Sequence, residues 1–218
     1  MLKLVGRKKL KQGFLVAIEG IDGAGKTTQS KILVDRLTKE GYPVIGLHEP
    51  TGGRWGRKIK ELAKNGRHKT KPATEVELFY LDRLEDVKKN ITPALKSKKI
   101  VIMDRFYFSS AAYQGARGLS PDSIEKKNMK IAPIPSITII LDLEPEVALK
   151  RIRDKRNEMP NHFERKKYLE KVRRIFLRQF ANRPDIRIIA GDDLRSIQAI
   201  ASDIWGIIKP LIEKIEDA

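Results

Sequence analysis

Residues 20–27 read G-I-D-G-A-G-K-T and match the pattern G-x-x-x-x-G-K-[ST]. In this pattern the glycines let the backbone wrap closely around phosphates, the lysine reaches the β and γ oxygens, and the final hydroxyl coordinates Mg²⁺. An apolar run at residues 14–18 precedes the motif, and apolar residues at helical spacing follow it at Ile32, Leu33 and Leu37. Because a phosphate-binding loop requires a strand before it and a helix after it, the motif predicts a nucleotide-binding P-loop in an α/β fold.

The rest of the chain alternates between strand and helix patterns. Apolar runs of strand length recur at residues 44–47, 100–103, 137–143 and 186–190. Helices are predicted at residues 54–64, 74–96, 122–130, 145–153, 164–181 and 197–212, with Pro93 limiting the second of them. This alternation predicts an α/β P-loop NTPase fold with a five-stranded parallel sheet and helices on both faces. We expect one domain over residues 1–218, with a mobile basic extension at residues 1–12.

Composition narrows the classes of function without selecting one. The chain has no cysteine, which excludes disulfides, thiolate metal sites and cysteine nucleophiles. No apolar run approaches the roughly 18 residues that a membrane helix needs, and no signal peptide is recognisable, so we expect a cytoplasmic protein without a membrane partner. The net charge of +17 suits a nucleic-acid surface or a site for two phosphorylated nucleotides, and the total does not separate them.

The P-loop and the strand ends supply the residues expected to bind ATP, the phosphoryl donor. The expected ATP-binding residues are Gly20, Ile21, Asp22, Gly23, Ala24, Gly25, Lys26, Thr27 and Thr28. Asp104 ends the third apolar run, where an acid would hold Mg²⁺ through water together with Thr27, although an aspartate there could instead cap the next helix. Arg105 follows it and would neutralise charge between the donor and acceptor phosphates.

A basic segment after the fourth strand predicts a short lid at about residues 150–164. It would fold over the transferring phosphoryl group, although basic helix faces are usually just solvated. The lid cations are Arg151, Arg153, Lys155 and Arg156. The chain contains no N-K-x-D tetrapeptide, which disfavours a GTPase.

Four stretches together resemble the thymidylate kinase family of P-loop nucleoside-monophosphate kinases, over residues 14–212 or so. They are the loop and its flanks at 19–29, Glu49 with Pro50, F-Y-L-D-R at 79–83, and D-R-F at 104–106 continuing to Ser109 and A-Y-Q-G. The last is the most specific, since the family carries D-R-[YH] followed by S-x-x-A-Y-Q-G, whereas deoxynucleoside kinases carry E-R-S. The resemblance implies a homodimer that transfers the ATP γ-phosphoryl group to dTMP, with no specific nucleic-acid partner.

The resemblance also implies residue roles. Phe79 would stack on the acceptor base, and Gln114 would hydrogen-bond its pyrimidine edge. Arg83 and Arg105 would hold the acceptor phosphate. The full acceptor set is Asp22, Glu49, Pro50, Phe79, Arg83, Arg105, Ser109, Tyr113 and Gln114. Three plainer alternatives stay open: Phe79 as a core aromatic, Arg83 as an intrahelical ion-pair partner, and Tyr113 as a packing residue.

Two departures refine the comparison with the family. Some members place an arginine inside the P-loop, where this chain has Gly23, so the lid is expected to supply the catalytic cation from Arg153, Lys155 or Arg156. Arg153 is favoured and would act beside Lys26 and Arg105. Bacterial members usually read R-E-P-G-G after the second strand, and this chain has His48 at the position of that arginine. Because an imidazole is a poor substitute for a guanidinium, Arg54 or Arg57 would hold the acceptor phosphate instead.

Three rival functions follow from the same residues. One is a kinase of the same fold with another nucleotide or nucleoside as acceptor, and a second is a nucleic-acid-stimulated ATPase suggested by the net charge. A third is a noncatalytic nucleotide-binding protein, which the presence of Lys26, Asp104 and Arg105 disfavours.

Overall fold

Five parallel strands form the centre of the fold. They are β1 (Phe14–Gly20), β2 (Val44–His48), β3 (Ile100–Asp104), β4 (Ile137–Asp142) and β5 (Ile186–Ala190), in the order β2-β3-β1-β4-β5. The computed structural model describes residues 7–64, 70–156, 162–192 and 194–217, without the side chains of 155, 156 and 162–164. All seven residues of β1 are buried, and because successive strand residues face opposite sides, both faces of the sheet are covered. The predicted fold class is confirmed.

The strand register brings the candidate residues to one edge of the sheet. Ile18 and His48 both pair with Asp104, so β1, β2 and β3 reach their carboxyl ends side by side. The backbone N–H of Arg105 donates to the carbonyl of Ile18 at 3.0 Å, which carries the chain across the end of β1. Ligands of open parallel sheets bind at this edge, and the P-loop leaves β1 there.

Nine helices in the described part of the chain cover the sheet. They are α1 (Lys26–Lys39), α2 (Arg54–Lys64), α3 (Pro72–Asp86), α4 (Thr92–Lys96), α5 (Tyr107–Gly115), α6 (Pro121–Met129), α7 (Pro145–Arg156), α8 (His162–Ile175) and α9 (Ile197–Glu213). Within the described ranges, none is both long enough and apolar enough to cross a membrane.

Two predicted helices each contain a π-helical turn. The helix predicted at residues 74–96 is α3, a π turn at Val87–Ile91, and α4. Pro93 lies in the first turn of α4, so the helical path widens before the proline instead of stopping at it. A proline has no N–H to donate and its ring crowds the preceding turn, which a π turn accommodates. The helix predicted at 164–181 likewise ends in a π turn at Phe176–Phe180.

The N-terminal extension is docked where the structure describes it. Leu10 is buried, and the backbone N–H of Lys11 donates to the carbonyl of Ile215 at 2.8 Å. Lys8 donates from its backbone to the carbonyl of Gly41 at 3.0 Å. Residues 8–11 therefore pack against the C-terminal segment and the turn at Gly41, and mobility of the extension stays a prediction. Residues 1–6 lie outside the described residues.

Candidate active site

The P-loop backbone depends on glycines at two positions. Gly25 has φ +95°, a left-handed conformation that favours glycine, and α1 begins directly after it. Gly23 has φ +86°, and a Cβ there would lie 2.7 Å from the carbonyl oxygen of Ala148 on α7. An arginine at position 23 would therefore clash with α7. The loop delivers its amides to the N-terminus of α1, where anions are stabilised.

Lys26 lies at the base of the loop with its ammonium group turned inward. Its side chain is buried, and Nζ donates to the carbonyl of Ile21 at 2.7 Å. Burial, together with the positive charge of Arg105, lowers the pKa of Lys26 to about 7. A phosphate anion entering the loop would replace the Ile21 carbonyl as partner and restore the charge on Lys26.

Two oxygen donors suited to Mg²⁺ meet beside the loop. The hydroxyl of Thr27 donates to Oδ2 of Asp104 at 2.5 Å, although the two residues are 77 positions apart. Hydroxyl and carboxylate oxygens are the donors that Mg²⁺ prefers. Among the described residues, no three His, Cys, Asp or Glu side chains converge on one point. These residues therefore fit an ion that is held by Thr27, Asp104, nucleotide oxygens and water.

Arg105 is fixed at the boundary between the P-loop and the acceptor side. It has φ +70°, which an arginine rarely adopts, and its guanidinium donates to Oδ1 of Asp22 at 2.5 Å and to Oγ of Ser109 at 3.1 Å. The same guanidinium carbon lies 5.2 Å from the ring centroid of Tyr113. The hydroxyl of Tyr113 in turn accepts the backbone N–H of Asp22 at 2.8 Å.

A buried carboxylate that sequence reasoning missed holds this arrangement. Glu19 is fully buried and accepts the backbone N–H groups of Phe106 at 2.8 Å and Ser109 at 3.1 Å. Its second oxygen accepts the hydroxyl of Ser109 at 2.5 Å. Burial raises the pKa of Glu19 above its ordinary value, against these hydrogen bonds. A glutamate directly before the loop, at the end of an apolar strand, was the signal available in the sequence.

Arg83 is buried in a pair with Glu49. It is 1% exposed, and its Nε donates to Oε1 of Glu49 at 3.0 Å while Nη2 pairs with Oε2. Further hydrogen bonds reach Ser110 at 3.1 Å and Asn128 at 2.5 Å. Burial raises the pKa of Glu49 to about 7, and the charge of Arg83 opposes that rise. The intrahelical ion pair is therefore wrong, because all these partners lie outside α3, and the expected contact of Arg83 with the acceptor phosphate stays a prediction.

Phe79 and Gln114 lie on neighbouring helices, since α3 packs against α5. Phe79 is half-buried and does not belong to the buried core, so the core alternative is wrong. Gln114 is 1% exposed, and its Oε1 has no hydrogen-bond partner among the described residues. Tyr113 is buried within the hydrophobic core, and its hydroxyl also contacts the P-loop at Asp22. The same residue therefore packs in the core and contacts the loop.

A cleft of about 1000 Å³ lies at the carboxyl edge of the sheet. Residues 22–29 form its floor, and the ends of β2 and β3 add residues 48–50 and 104–105. The opposite wall carries Arg151 on α7 and Arg195 before α9. Lining residues also include Lys60 on α2. The other predicted residues do not line the described cleft: Gly20, Ile21, Phe79, Arg83, Ser109, Tyr113, Gln114 and Arg153.

The predicted lid cations separate in the structure. Arg151 lines the cleft and donates to the carbonyl of Gly191 at 3.4 Å. Arg153, the favoured catalytic cation, has a side chain 57% exposed, and its Nε lies 3.7 Å from Oδ1 of Asp154. The structure therefore brings Arg151 and not Arg153 to the cleft. The side chains of Lys155 and Arg156 lie outside the described residues.

Lys60 lies where Arg54 or Arg57 was expected. Arg54 lies over the ring of Trp55 at 4.7 Å, and Nη1 of Arg57 donates to the carbonyl of Gly52 at 2.9 Å. Lys60 lines the cleft with His48, and its Nζ donates to the carbonyl of Thr51 at 3.1 Å. Gly56 lies one helical turn before Lys60, and a Cβ there would lie 2.1 Å from the carbonyl oxygen of Thr51, so α2 packs closely on the segment after β2.

Comparison with known proteins identifies similar chains. The family model for thymidylate kinase matches residues 18–204. A probable thymidylate kinase of Archaeoglobus fulgidus is 41% identical over 198 residues, covering 91% of this chain and 96% of that protein. The thymidylate kinase of Desulfotalea psychrophila is 41% identical over 201 residues, covering 92% and 96%. A crystal structure of thymidylate kinase from Ehrlichia chaffeensis has a TM-score of 0.67 at 27% identity, covering 90% of this chain and 99% of that one.

Proposed function

The chain belongs to the thymidylate kinase family, and we propose that it transfers the γ-phosphoryl group of ATP to dTMP, giving dTDP and ADP. The observation that carries the proposal is the meeting of the P-loop, the Thr27–Asp104 pair and Arg105 in one cleft. This combination places a loop that can bind a triphosphate beside a cation that can bind a second phosphate. The same geometry disfavours a noncatalytic nucleotide-binding protein.

The donor would occupy the P-loop side of the cleft. Lys26 would bind the β and γ oxygens, and the loop amides would surround the phosphates. Thr27 and Asp104 would hold Mg²⁺, which when bound neutralises charge on the phosphates. Arg151 faces this side from α7 and is the lid cation best placed to reach the donor. No covalent enzyme intermediate is needed, because in-line transfer relies on positioning and charge neutralisation.

The acceptor would lie on the side of β2 and β3. Arg105 is anchored by Asp22 and would stand between the two phosphates as they approach. Lys60 would supply the second cation for the acceptor phosphate, in the place that His48 fills poorly. Phe79 would stack on the base, and the unpaired Oε1 of Gln114 would accept a hydrogen bond from its edge.

Three broader features are part of the proposal. Residues 1–218 would act as one domain with a lid at about 150–164, which the family match over 18–204 supports. A homodimer is supported by the resemblance to the family. A cytoplasmic location agrees with a chain without cysteine that uses ATP as donor.

The test is ADP production from ATP with each nucleoside monophosphate offered in turn. We expect turnover that depends on dTMP and is lost when EDTA removes the divalent cation. Single-stranded DNA and RNA serve as separate additions. Turnover only with another monophosphate would replace dTMP as acceptor, and stimulation only by nucleic acid would overturn the kinase assignment.

Replacing Lys60 with glutamine is expected to raise KM for dTMP about tenfold while KM for ATP changes less than about twofold, because a hydrogen bond to a charged group is removed from one substrate. Steady-state kinetics with the second substrate saturating measure both values. Arg57→Gln is the matched control, since Arg57 lies on the same helix outside the cleft. Equal changes in the two variants would contradict the role given to Lys60.

A further inference from the structure

Tyr168 links the helix after the lid segment to the helix that carries acceptor residues. It lies on α8, and its hydroxyl donates to the backbone carbonyl of Tyr113 on α5 at 2.9 Å. The two rings meet edge to face, with centroids 6.1 Å apart and planes at 72°. This contact joins α8 to α5 by one directed hydrogen bond and one ring packing.

The Tyr113 carbonyl is an end group of α5 that the following turn does not satisfy. The next three amides, of residues 116, 117 and 118, donate to the carbonyls of Ala112, Gln114 and Gly115. None of these three amides donates to the carbonyl of Tyr113. The last carbonyls of a helix need partners from elsewhere, and the Tyr168 hydroxyl supplies this one. Removing that hydroxyl would leave the end of α5 without its partner from α8.

Tyr113 connects this helix end to the site. Its hydroxyl accepts the backbone N–H of Asp22 at 2.8 Å, and its ring faces the Arg105 guanidinium carbon at 5.2 Å. Arg105 is bound to Asp22 in turn. The position of Tyr113 therefore helps set the position of the groups that face the acceptor.

The helix α8 has an independent anchor on the sheet. Arg173 donates to both carboxylate oxygens of Asp142, at 2.6 and 3.0 Å, at the end of β4. Bidentate pairs of this kind fix orientation as well as distance. Because Arg173 anchors α8 to the end of β4, Tyr168 contacts α5 from a helix that is itself held against the sheet.

We propose that Tyr168 is a positioning residue for the acceptor: its hydroxyl holds Tyr113, and through it Asp22 and Arg105, in the geometry that binds dTMP. The inference rests on the proposed function. Tyr168 does not line the described cleft, so it acts through Tyr113 and not on either nucleotide. The donor side keeps its own supports, namely the contact of Gly23 with α7 and the bond from Lys26 to Ile21.

Tyr168→Phe tests the inference because it removes only the hydroxyl and keeps the ring contact. We expect KM for dTMP to rise about fivefold, with KM for ATP changed less than about twofold. Tyr107→Phe is the matched control. Tyr107 lies on the same helix α5, is fully buried, and its hydroxyl has no partner among the described residues. Its removal should leave both KM values unchanged.

The outcomes separate the inference from the proposed function. Wild-type protein without dTMP-dependent ADP production would overturn the proposed function, and with it this inference. Wild-type activity with an unchanged KM for dTMP in Tyr168→Phe would overturn the inference alone. Equal increases in both KM values, or in both variants, would also overturn it, because they would indicate a general loss of packing. Thermal unfolding of the two variants measures that loss directly.

Discussion

Lys26→Ala is expected to lower kcat/KM for dTMP phosphorylation at least about 1000-fold at neutral pH, because it removes a preorganised cation from the oxygens where charge is rearranged. The fold should persist. Lys26 is buried, none of the carboxylates in the described residues forms an ion pair with it, and its Nζ donates to the carbonyl of Ile21. Burying such a charge is unfavourable, so we expect Lys26 to contribute to catalysis and not to stability.

The lowered pKa of Lys26 gives a second measurement of the same residue. Burial and Arg105 lower the pKa to about 7 in the free protein, and bound phosphates would raise it again. At pH 8 the free lysine is mostly neutral, so ATP binding should take up close to one proton. At pH 6 it is already charged, and uptake should be near zero. Calorimetry of ATP binding in buffers of different ionisation enthalpy measures this uptake.

The control for both measurements lies on the same helix. Lys31 is exposed on α1, and Lys31→Ala should keep wild-type turnover and proton uptake. Lys26→Met removes the charge, preserves most of the volume, and should abolish the uptake at pH 8. Near-normal kcat in Lys26→Ala would reject the P-loop assignment. Uptake that persists in Lys26→Met would show that another group carries the proton.

The fold could be predicted because its signals are local. Each strand is an apolar run, and the P-loop lies at a strand end, so β1 to β5 and the fold class follow from sequence patterns. The loop and Asp104 lie at the same edge of the sheet because parallel strands end there. Register then brings Thr27 to Asp104 across 77 positions without any further signal.

The surroundings of Arg83, Lys60 and Leu10 differ from the expectation because they depend on tertiary contacts. Arg83 has the composition of a surface helix around it, yet it meets Glu49 across 34 positions in a fully buried pair. Lys60 was passed over for two arginines because a helix face cannot be oriented until its packing partner is known. Leu10 was assigned to a mobile segment since no local pattern shows that the C-terminal segment covers it. Side-chain partners across elements are the information that one sequence lacks.

Arg83→Met is expected to lower the free energy of unfolding by about 3–5 kcal/mol at pH 8, because it leaves Glu49 buried without its cation. Glu49 and Arg83 have side chains only 2% and 1% exposed, so water cannot replace the lost partner. Denaturant unfolding monitored by circular dichroism measures the change. Lys127→Met is the control: Lys127 pairs with Glu77 at 2.6 Å, but both side chains are about half exposed. Its loss should be below about 1 kcal/mol.

The pH dependence of Arg83→Met distinguishes a stranded charge from lost packing. Burial already raises the pKa of Glu49 to about 7, and removing Arg83 removes the main opposing charge, so the pKa in the variant rises further. A folded-state pKa above the unfolded value means that the folded state binds more protons, so stability falls as pH rises through that pKa. The variant should therefore lose less stability at pH 5, where Glu49 is protonated, than at pH 8. A loss that is equal at both pH values would mean that the packing of Arg83, and not its charge, stabilises the fold. The double variant Glu49→Leu with Arg83→Met removes both charges and should recover a large part of the stability at pH 8.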